Sequence, residues 1–270
     1  FSINDIVNFR NKGFKVIPVL NKEKKIIDII NFRIDSSFLP VDSVIMAGGL
    51  GSRLKKLTKT TPKPLLKVGD KPIIQHTIDR LYKFGIKNNH LCIRYLGDKI
   101  KSFFNNGYQK DINFNYIIED VPMGTMGAIT KIKNFKHEYI LVSNSDILTT
   151  MNYEKFFLDF IDNNADMSVV TIPYSVNIPY GVLESTNNHI ISLDEKPTYT
   201  YYSNGGIYLL KKEILSLIPE NQFYNSTDLM EKLISMKKKL ISYPLKEYWL
   251  DIGSPEDYIK AKKDFKNLDL

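Results

Sequence analysis

A chain of 270 residues, 43% of them apolar and 25% charged, can bury a sizeable core, which excludes a disordered tail or a low-complexity linker. No apolar run reaches ~18 residues and Cys92 is the one cysteine, so a membrane-crossing helix and an intrachain disulfide are both excluded. The net charge of +7 comes from scattered lysines without an arginine-rich arm, which disfavours nucleic acid and fits a general pull on anionic substrates.

The chain opens, without an initiator methionine, inside a polar–apolar helical pattern around Asn4 to Lys12, as a fragment of a longer polypeptide would. After Gly13 come a strand over 15–20, a charged turn over 21–25 and a second strand over 26–32. This order, carried by VIPVLNKEKKIIDIINF, resembles the C-terminal half of a CBS domain, a module that pairs and often binds adenine nucleotides. The resemblance implies a partial CBS module over 1–34 and an adenine nucleotide as partner of the complete pair. The alternative is an extra hairpin packed on the main domain. Residues 35–42, with Ser36, Ser37 and Pro40, are expected to be a linker, and 43–270 the main domain.

An apolar strand from Val44 ends at Ala47 and breaks into Gly48, Gly49 and Gly51, followed by Ser52. Glycines let backbone N–H groups approach a ligand closely, and successive N–H groups form an anion-binding nest. Arg53 and Lys63, the latter held between Pro62 and Pro64, add two fixed cations. The set suits several adjacent phosphates, meaning a nucleoside triphosphate. A dinucleotide fingerprint would need glycine in place of Leu54, and no Gly-Lys pair follows at the P-loop distance. A dinucleotide-dependent oxidoreductase is thereby disfavoured.

Apolar residues at 73, 74, 78, 81 and 84 before Gly85 predict a helix with a C′ glycine. Strands are expected at 90–95, 114–118, 139–144 and 166–172, with helices near 97–105, 125–133 and 153–163. This βαβ rhythm predicts an α/β, doubly wound, Rossmann-like mixed sheet whose ligands lie beyond the carboxyl ends of its strands. The later part is strand-rich, near 181–185, 189–193, 201–210 and 240–245. Ser254-Pro-Glu-Asp then caps a last helix.

The run from Val44 to Leu66 resembles the signature of the sugar-1-phosphate nucleotidyltransferases, also called nucleoside-diphosphate-sugar pyrophosphorylases. Their pattern, G-G-x-G-[ST]-R-L followed by P-K-P, is matched at Gly48, Gly49, Gly51, Ser52, Arg53, Leu54, Pro62, Lys63 and Pro64. The similarity extends over about residues 43–264. It implies that Ala47, Gly48, Gly49, Gly51 and Ser52 bind the nucleotide and that Arg53 and Lys63 serve the triphosphate. Pro122-Met-Gly-Thr-Met-Gly resembles a segment lying against base and ribose, which makes Gly124 and Thr125 nucleotide contacts. Glu119 offers an acceptor for the N1–H and N2–H of guanine.

Ser143-Asn-Ser-Asp146 stands where the family shows N-G-D, and Trp249-Leu-Asp-Ile-Gly253 resembles W-x-D-x-G, so Asp146 and Asp251 are the implied ligands of a magnesium ion. Ser145 in the glycine position is expected to strain the backbone. On the sugar side, Tyr180-Gly181 resembles Y-G-V, Glu195-Lys196-Pro197 resembles E-K-P, and Asn204-Gly205 opens a glycine strand closing the pocket with Trp249. Arg53, Lys63, Asp146, Lys196 and Asp251 are the implied catalytic set. The resemblance thus implies a cytoplasmic enzyme transferring a nucleoside monophosphate to a hexose 1-phosphate, with a homo-oligomer as a further expectation. The EDVPMGTMGA segment and the CBS arrangement resemble the glucosamine-1-phosphate guanylyltransferases of nonulosonic (legionaminic) acid pathways, which use GTP. The alternatives are a thymidylyl- or uridylyltransferase on glucose 1-phosphate, and a non-catalytic nucleotide-sugar-binding subunit.

Overall fold

A computed structural model describes residues 3–105, 108 and 111–268. The N-terminal stretch forms helix α1 (Ile3–Asn11) and an antiparallel ribbon of β1 (Val16–Leu20) and β2 (Ile26–Asn31). The body starts with β3 (Val41–Ala47), a small hairpin of β4 (Lys67–Val68) and β5 (Lys71–Pro72), α2 (Ile73–Lys83), β6 (Asn88–Ile93), α3 (Gly97–Asn105) and β7 (Asn113–Ile118). There follow β8 (Tyr139–Asn144), β9 (Ile147–Thr149), α4 (Tyr153–Asp162), β10 (Met167–Asn177), β11 (Val182–Thr186), β12 (His189–Asp194) and β13 (Thr198–Lys211). Helix α5 (Ser226–Ser235), β14 (Leu240–Pro244), β15 (Trp249–Asp251) and α6 (Pro255–Asp264) complete the chain.

Seven strands form the central sheet in the order β14-β10-β13-β8-β3-β6-β7. The four strands β8, β3, β6 and β7 run parallel, and β13 runs antiparallel to both its neighbours. Successive residues of the parallel strands alternate between two apolar layers. Ile45, Leu91, Ile93 and Leu141 join α2 and α4 on one face, while Val44, Cys92 and Val142 join α5 on the other. Burial on both faces is what a parallel sheet requires. Burial also pushes the Cys92 thiol up, leaving it an inert core residue.

Strand order reverses at β3, which has β6 on one side and β8 on the other. Beyond the carboxyl ends of β3 and β8 lies the switch point at which a doubly wound sheet opens a crevice. A third apolar cluster, with Leu54, Ile73, Leu148, Leu250, Ile252 and Tyr258, fixes the segment after β3 against β9, β15 and α6 at that crevice.

Two details differ from the sequence reading, at the start of β3 and at 125–133. Strand β3 starts at Val41, inside the stretch 35–42 expected to be a linker. Ser37 and Leu39 are buried, and the N–H groups of Ser37 and Leu39 donate to the carbonyls of Lys83 and Phe84 at the end of α2. Ile3, Ile6, Ile17 and Ile30 belong to the same core cluster as α2 and α4, so residues 3–31 lie as a helix and hairpin packed on the body. The helix expected at 125–133 is a single 3₁₀ turn over Gly127–Lys131, because the N–H groups of Met126 and Gly127 both donate to the Tyr224 carbonyl. A fixed long-range acceptor there replaces the helical one. Among the described residues no helix is long and apolar enough to cross a membrane.

The Arg10 guanidinium grips Glu154 of α4 through two hydrogen bonds, of 2.9 and 2.6 Å, and also donates to the Ser36 carbonyl. Glu154 is buried and Arg10 partly exposed. Glu154→Ala is expected to lower the unfolding free energy by about 2 kcal/mol, and Glu154→Gln by less, since charge-assisted bonds of this kind are worth roughly 1.5–3 kcal/mol. Urea denaturation of the two variants checks this.

Candidate active site

The crevice is a cleft of about 460 Å³ whose lining includes Gly48, Gly49, Gly51, Ser52 and Arg53 from the loop after β3, with Lys63 and Pro64. Glu119, Pro122, Met123, Gly124 and Thr125 follow β7, Asn144 ends β8, and Ser145 and Asp146 come after it. A smaller pocket of about 220 Å³ adjoins it. Asn204, Gly205, Gly206, Trp249 and Asp251 line that pocket, and Asn144 lines both.

At the junction the Lys63 ammonium, nearly buried, donates to Asp146 Oδ2 and lies 3.8 Å from Asp251 Oδ1. Asp146 Oδ1 and Asp251 Oδ1 are buried without hydrogen-bond partners. Burial raises the Asp251 carboxyl above the usual carboxylate range, the Asp146 charge adds to the effect, and the Lys63 and Arg53 cations oppose it. Two orphaned carboxylate oxygens facing a shared cation fit a divalent cation with hard oxygen ligands. Among the described residues no group of three or more His, Cys, Asp or Glu gathers for a metal, so waters and substrate oxygens must complete its coordination.

The third apolar cluster brings Arg53 to this point. A Cβ on Gly253 would meet the Arg53 guanidinium nitrogens at 3.2 and 3.3 Å and Asp251 Oδ2 at 3.3 Å, so glycine leaves the space through which Arg53 reaches the cleft. Thr58 Oγ1 donates to the Gly51 carbonyl at 2.9 Å and ties the glycine loop to its own helical turn. Ser145, where strain was expected, does not adopt a left-handed φ, and its N–H donates to the Met46 carbonyl. Serine is accommodated there at no backbone cost.

Glu119 is buried at the cleft end of β7, pressed against the backbone of Gly48. A Cβ at residue 48 would lie 2.7 Å from its Oε1, so glycine is required for this approach. Its Oε2 accepts the Met123 N–H at 3.3 Å. Thr125 lines the cleft while its Oγ1 accepts the Ser226 N–H at 2.7 Å, which makes it a brace for the start of α5 as well. Ala47 is buried at the end of β3, behind the glycines.

The sugar-side residues fall into two groups. Asn204, Gly205 and Trp249 meet at the smaller pocket, where Trp249 Nε1 donates to the Gly205 carbonyl at 2.9 Å. Tyr180, Gly181, Glu195 and Lys196 lie instead on an exposed arm made of the outer halves of β10 and β13 and the β11–β12 hairpin, and do not line that pocket. Tyr180 is 75% exposed, Gly181 lies next to the Glu195 carboxylate, and Lys196 has a left-handed φ of 48°. The sequence reading missed Arg94, Asn144 and Phe223, all of which line the main cleft. A cation ending the apolar run of β6 was the available signal for Arg94.

Burial raises the Glu119 pKa, against the Met123 N–H and the Arg94 and Lys131 charges. A folded pKa above the unfolded one means that ionised Glu119 weakens the fold above the folded pKa and costs nothing below the unfolded one. Glu119→Gln keeps an acceptor for the Met123 N–H. It is expected to be more stable than the parent at about pH 7, with the advantage fading toward about pH 4, which urea midpoints at both values measure.

The nucleotidyl transferase family model matches residues 42–267. A D-glycero-alpha-D-manno-heptose 1-phosphate guanylyltransferase of Aneurinibacillus thermoaerophilus is 31% identical over 230 residues, covering 84% of this chain and 99% of the relative. A mannose-1-phosphate guanyltransferase of Schizosaccharomyces pombe is 28% identical, covering 80% of this chain and 62% of the relative. The crystal structure of HddC from Yersinia pseudotuberculosis complexed with GMP-PN aligns with a TM-score of 0.62 at 29% identity, covering 83% of this chain and 99% of that one. Nucleotidyltransferases of this kind generally use a divalent metal. With its signature loop at the switch point and its body matched almost throughout, the chain belongs to the nucleotidyl transferase family.

Proposed function

We propose that the chain transfers guanosine monophosphate from GTP to a hexose 1-phosphate, glucosamine 1-phosphate first among candidates, and releases pyrophosphate. The observation that carries this is the junction itself. Arg53, Lys63, Asp146 and Asp251 converge where a nucleotide-sized cleft meets a smaller polar pocket. A phosphate oxygen of the sugar attacks the α-phosphorus in line, a new P–O bond forms, and the bond to the β-phosphate oxygen breaks.

Two polyanions must meet for this to happen, so most of the protein's work is placement and charge neutralisation. The glycine loop presents N–H groups to the triphosphate, Arg53 holds the departing pyrophosphate, and Lys63 stands beside the α-phosphate. Asp146 and Asp251 would hold Mg²⁺, which when bound neutralises charge on the α-phosphate and the attacking oxygen. Glu119 accepts the N1–H and N2–H of guanine, beside the Met123 N–H that already donates to its Oε2. Two of the relatives carry guanylyl- or guanyltransferase names, which supports GTP. Asn204, Gly205 and Trp249 receive the hexose, with the arm residues Tyr180, Gly181, Glu195 and Lys196 completing its enclosure, and Lys196 pairs with its phosphate. A cytoplasmic setting fits these substrates.

Released phosphate, measured with Mg²⁺ and pyrophosphatase across four nucleoside triphosphates and a panel of hexose 1-phosphates, is expected to single out GTP. Turnover with a pyrimidine nucleotide alone would overturn the base assignment. Lys63→Ala is expected to lower kcat by about 10²-fold or more, the usual effect of removing one preorganised charge at a transition state. Asp146→Asn and Asp251→Asn should each shift the Mg²⁺ titration of activity to higher concentration, and an unchanged metal dependence would contradict their assignment.

A further inference from the structure

We infer that Phe223 is a stacking surface for the nucleobase, set on the cleft by the loop that precedes α5. The inference rests on the nucleotide reading of the main cleft and adds to it a contact that no part of the signature supplies.

Phe223 is 62% exposed yet lines the same cleft as Glu119, Pro122, Met123 and Gly124. Exposed apolar side chains are common on protein surfaces and need no explanation when they stand alone. Two features set this one apart. The first is its place: among the described residues that line the crevice it is the one aromatic ring, and the buried acid suited to a base edge lines the same crevice. The second is the rigidity of the backbone that holds it.

The neighbouring Tyr224 is tied on both sides to the segment after β7. Its N–H donates to the Met123 carbonyl at 3.1 Å, and its carbonyl accepts the N–H groups of Met126 at 2.9 Å and Gly127 at 3.1 Å. Asn225 caps α5 through a capping box with Asp228, and the Ser226 N–H donates to Thr125 Oγ1. Tyr224 packs against the apolar layer that holds α5, while Phe223, one residue earlier, is left outside it. The loop and the base-binding segment therefore form one hydrogen-bonded unit, and the phenyl ring is presented to the cleft on a backbone that is ordered before binding. A flat π-surface on a prepaid backbone suits a purine face, which gains from stacking whatever its edge pattern. Division of labour follows: Glu119 reads the edge, and Phe223 holds the plane.

The test compares the parent chain with Phe223→Ala, Phe223→Trp and, as a control at an exposed side chain that lines neither pocket, Ile259→Ala on α6. Stacking predicts that Phe223→Ala raises the KM for GTP on the order of tenfold, leaves the KM for the sugar 1-phosphate and kcat nearly unchanged, and that Phe223→Trp restores the parent value. Trp249 is the one native tryptophan, so titrating GTP into Phe223→Trp should give a quench of emission beyond that of the parent. A GTP KM within about twofold of the parent in Phe223→Ala, together with no added quench in Phe223→Trp, overturns the inference while the transferase reading stands. Added quench without turnover by the parent on any substrate pair supports the stacking contact and overturns the transferase reading instead.

Discussion

The ammonium of Lys63, shared between Asp146 and Asp251, is the contact on which the site depends. Two carboxylates brought from the ends of different strands into one half-buried junction repel each other, and desolvation adds to the cost at Asp251. A cation between them makes the arrangement tolerable before any substrate arrives. Its effect is visible in Asp251, whose carboxyl is raised by burial and by Asp146 and held down by Lys63 and Arg53. Complete neutralisation would leave the acids inert toward a metal. Instead each keeps one buried oxygen that accepts no hydrogen bond, so the junction remains under-coordinated in a way that a divalent cation and phosphate oxygens would relieve.

That balance is a property of the fold as much as of the three residues. Asp146 is fixed by the end of β8, and Asp251 by the three-residue strand β15, which pairs with β9 through Trp249–Thr149, Leu250–Leu148 and Asp251–Ile147. Lys63 sits at the start of a 3₁₀ turn with proline on either side, which removes backbone freedom where the ammonium must not wander. Leu54, Leu148, Leu250 and Ile252 then bind these pieces through a single apolar cluster beneath the site. Apolar packing of that kind is stiff, so the charged groups above it are held at separations that flexible loops could not keep.

The parts that were legible in the sequence were those whose chemistry restricts residue type. The family's signature demands glycines and fixed cations at close spacing, and a parallel sheet buried on both faces demands apolar runs; the loop after β3 and the strands β6, β7 and β8 were readable for those reasons. Three-residue strands such as β9 and β15 carry too few positions for a period to show. The turn at 127–131 has helical composition, but its amides bond to Tyr224, almost a hundred residues along the chain, and no local pattern encodes such a partner. Phe223 gave no signal at all, since an aromatic residue in a loop becomes informative only once the loop's neighbours are known. Residues 35–42 looked like a linker from Ser36, Ser37 and Pro40, yet the end of α2 offers carbonyl acceptors that draw Ser37 and Leu39 into the core.

The arm shows why a site can be encoded in sequence and still be spread in space. Strands β10 and β13 pair along Thr171–Asn177 and Thr198–Asn204, beyond the stretches where β14 and β8 flank them. Past that point they form a two-stranded ribbon with mostly exposed side chains, including Tyr174, Tyr201 and Tyr202, and the β11–β12 hairpin continues it. A ribbon with few buried contacts bends at low cost, whereas its root is pinned by Trp249 Nε1 on the Gly205 carbonyl and by the Leu245 N–H on the Thr171 carbonyl. The root thus shares the rigidity of the strands that carry Asp146 and Asp251, and the outer part does not. In the proposed reaction the residues that neutralise charge have to be in place before the triphosphate binds, because their alignment lowers the barrier directly. Residues that enclose the sugar can be brought in by the sugar itself. The division between a stiff junction and a soft arm is therefore the one that the chemistry asks for, and the point where the sheet loses its flanking strands draws the line between them.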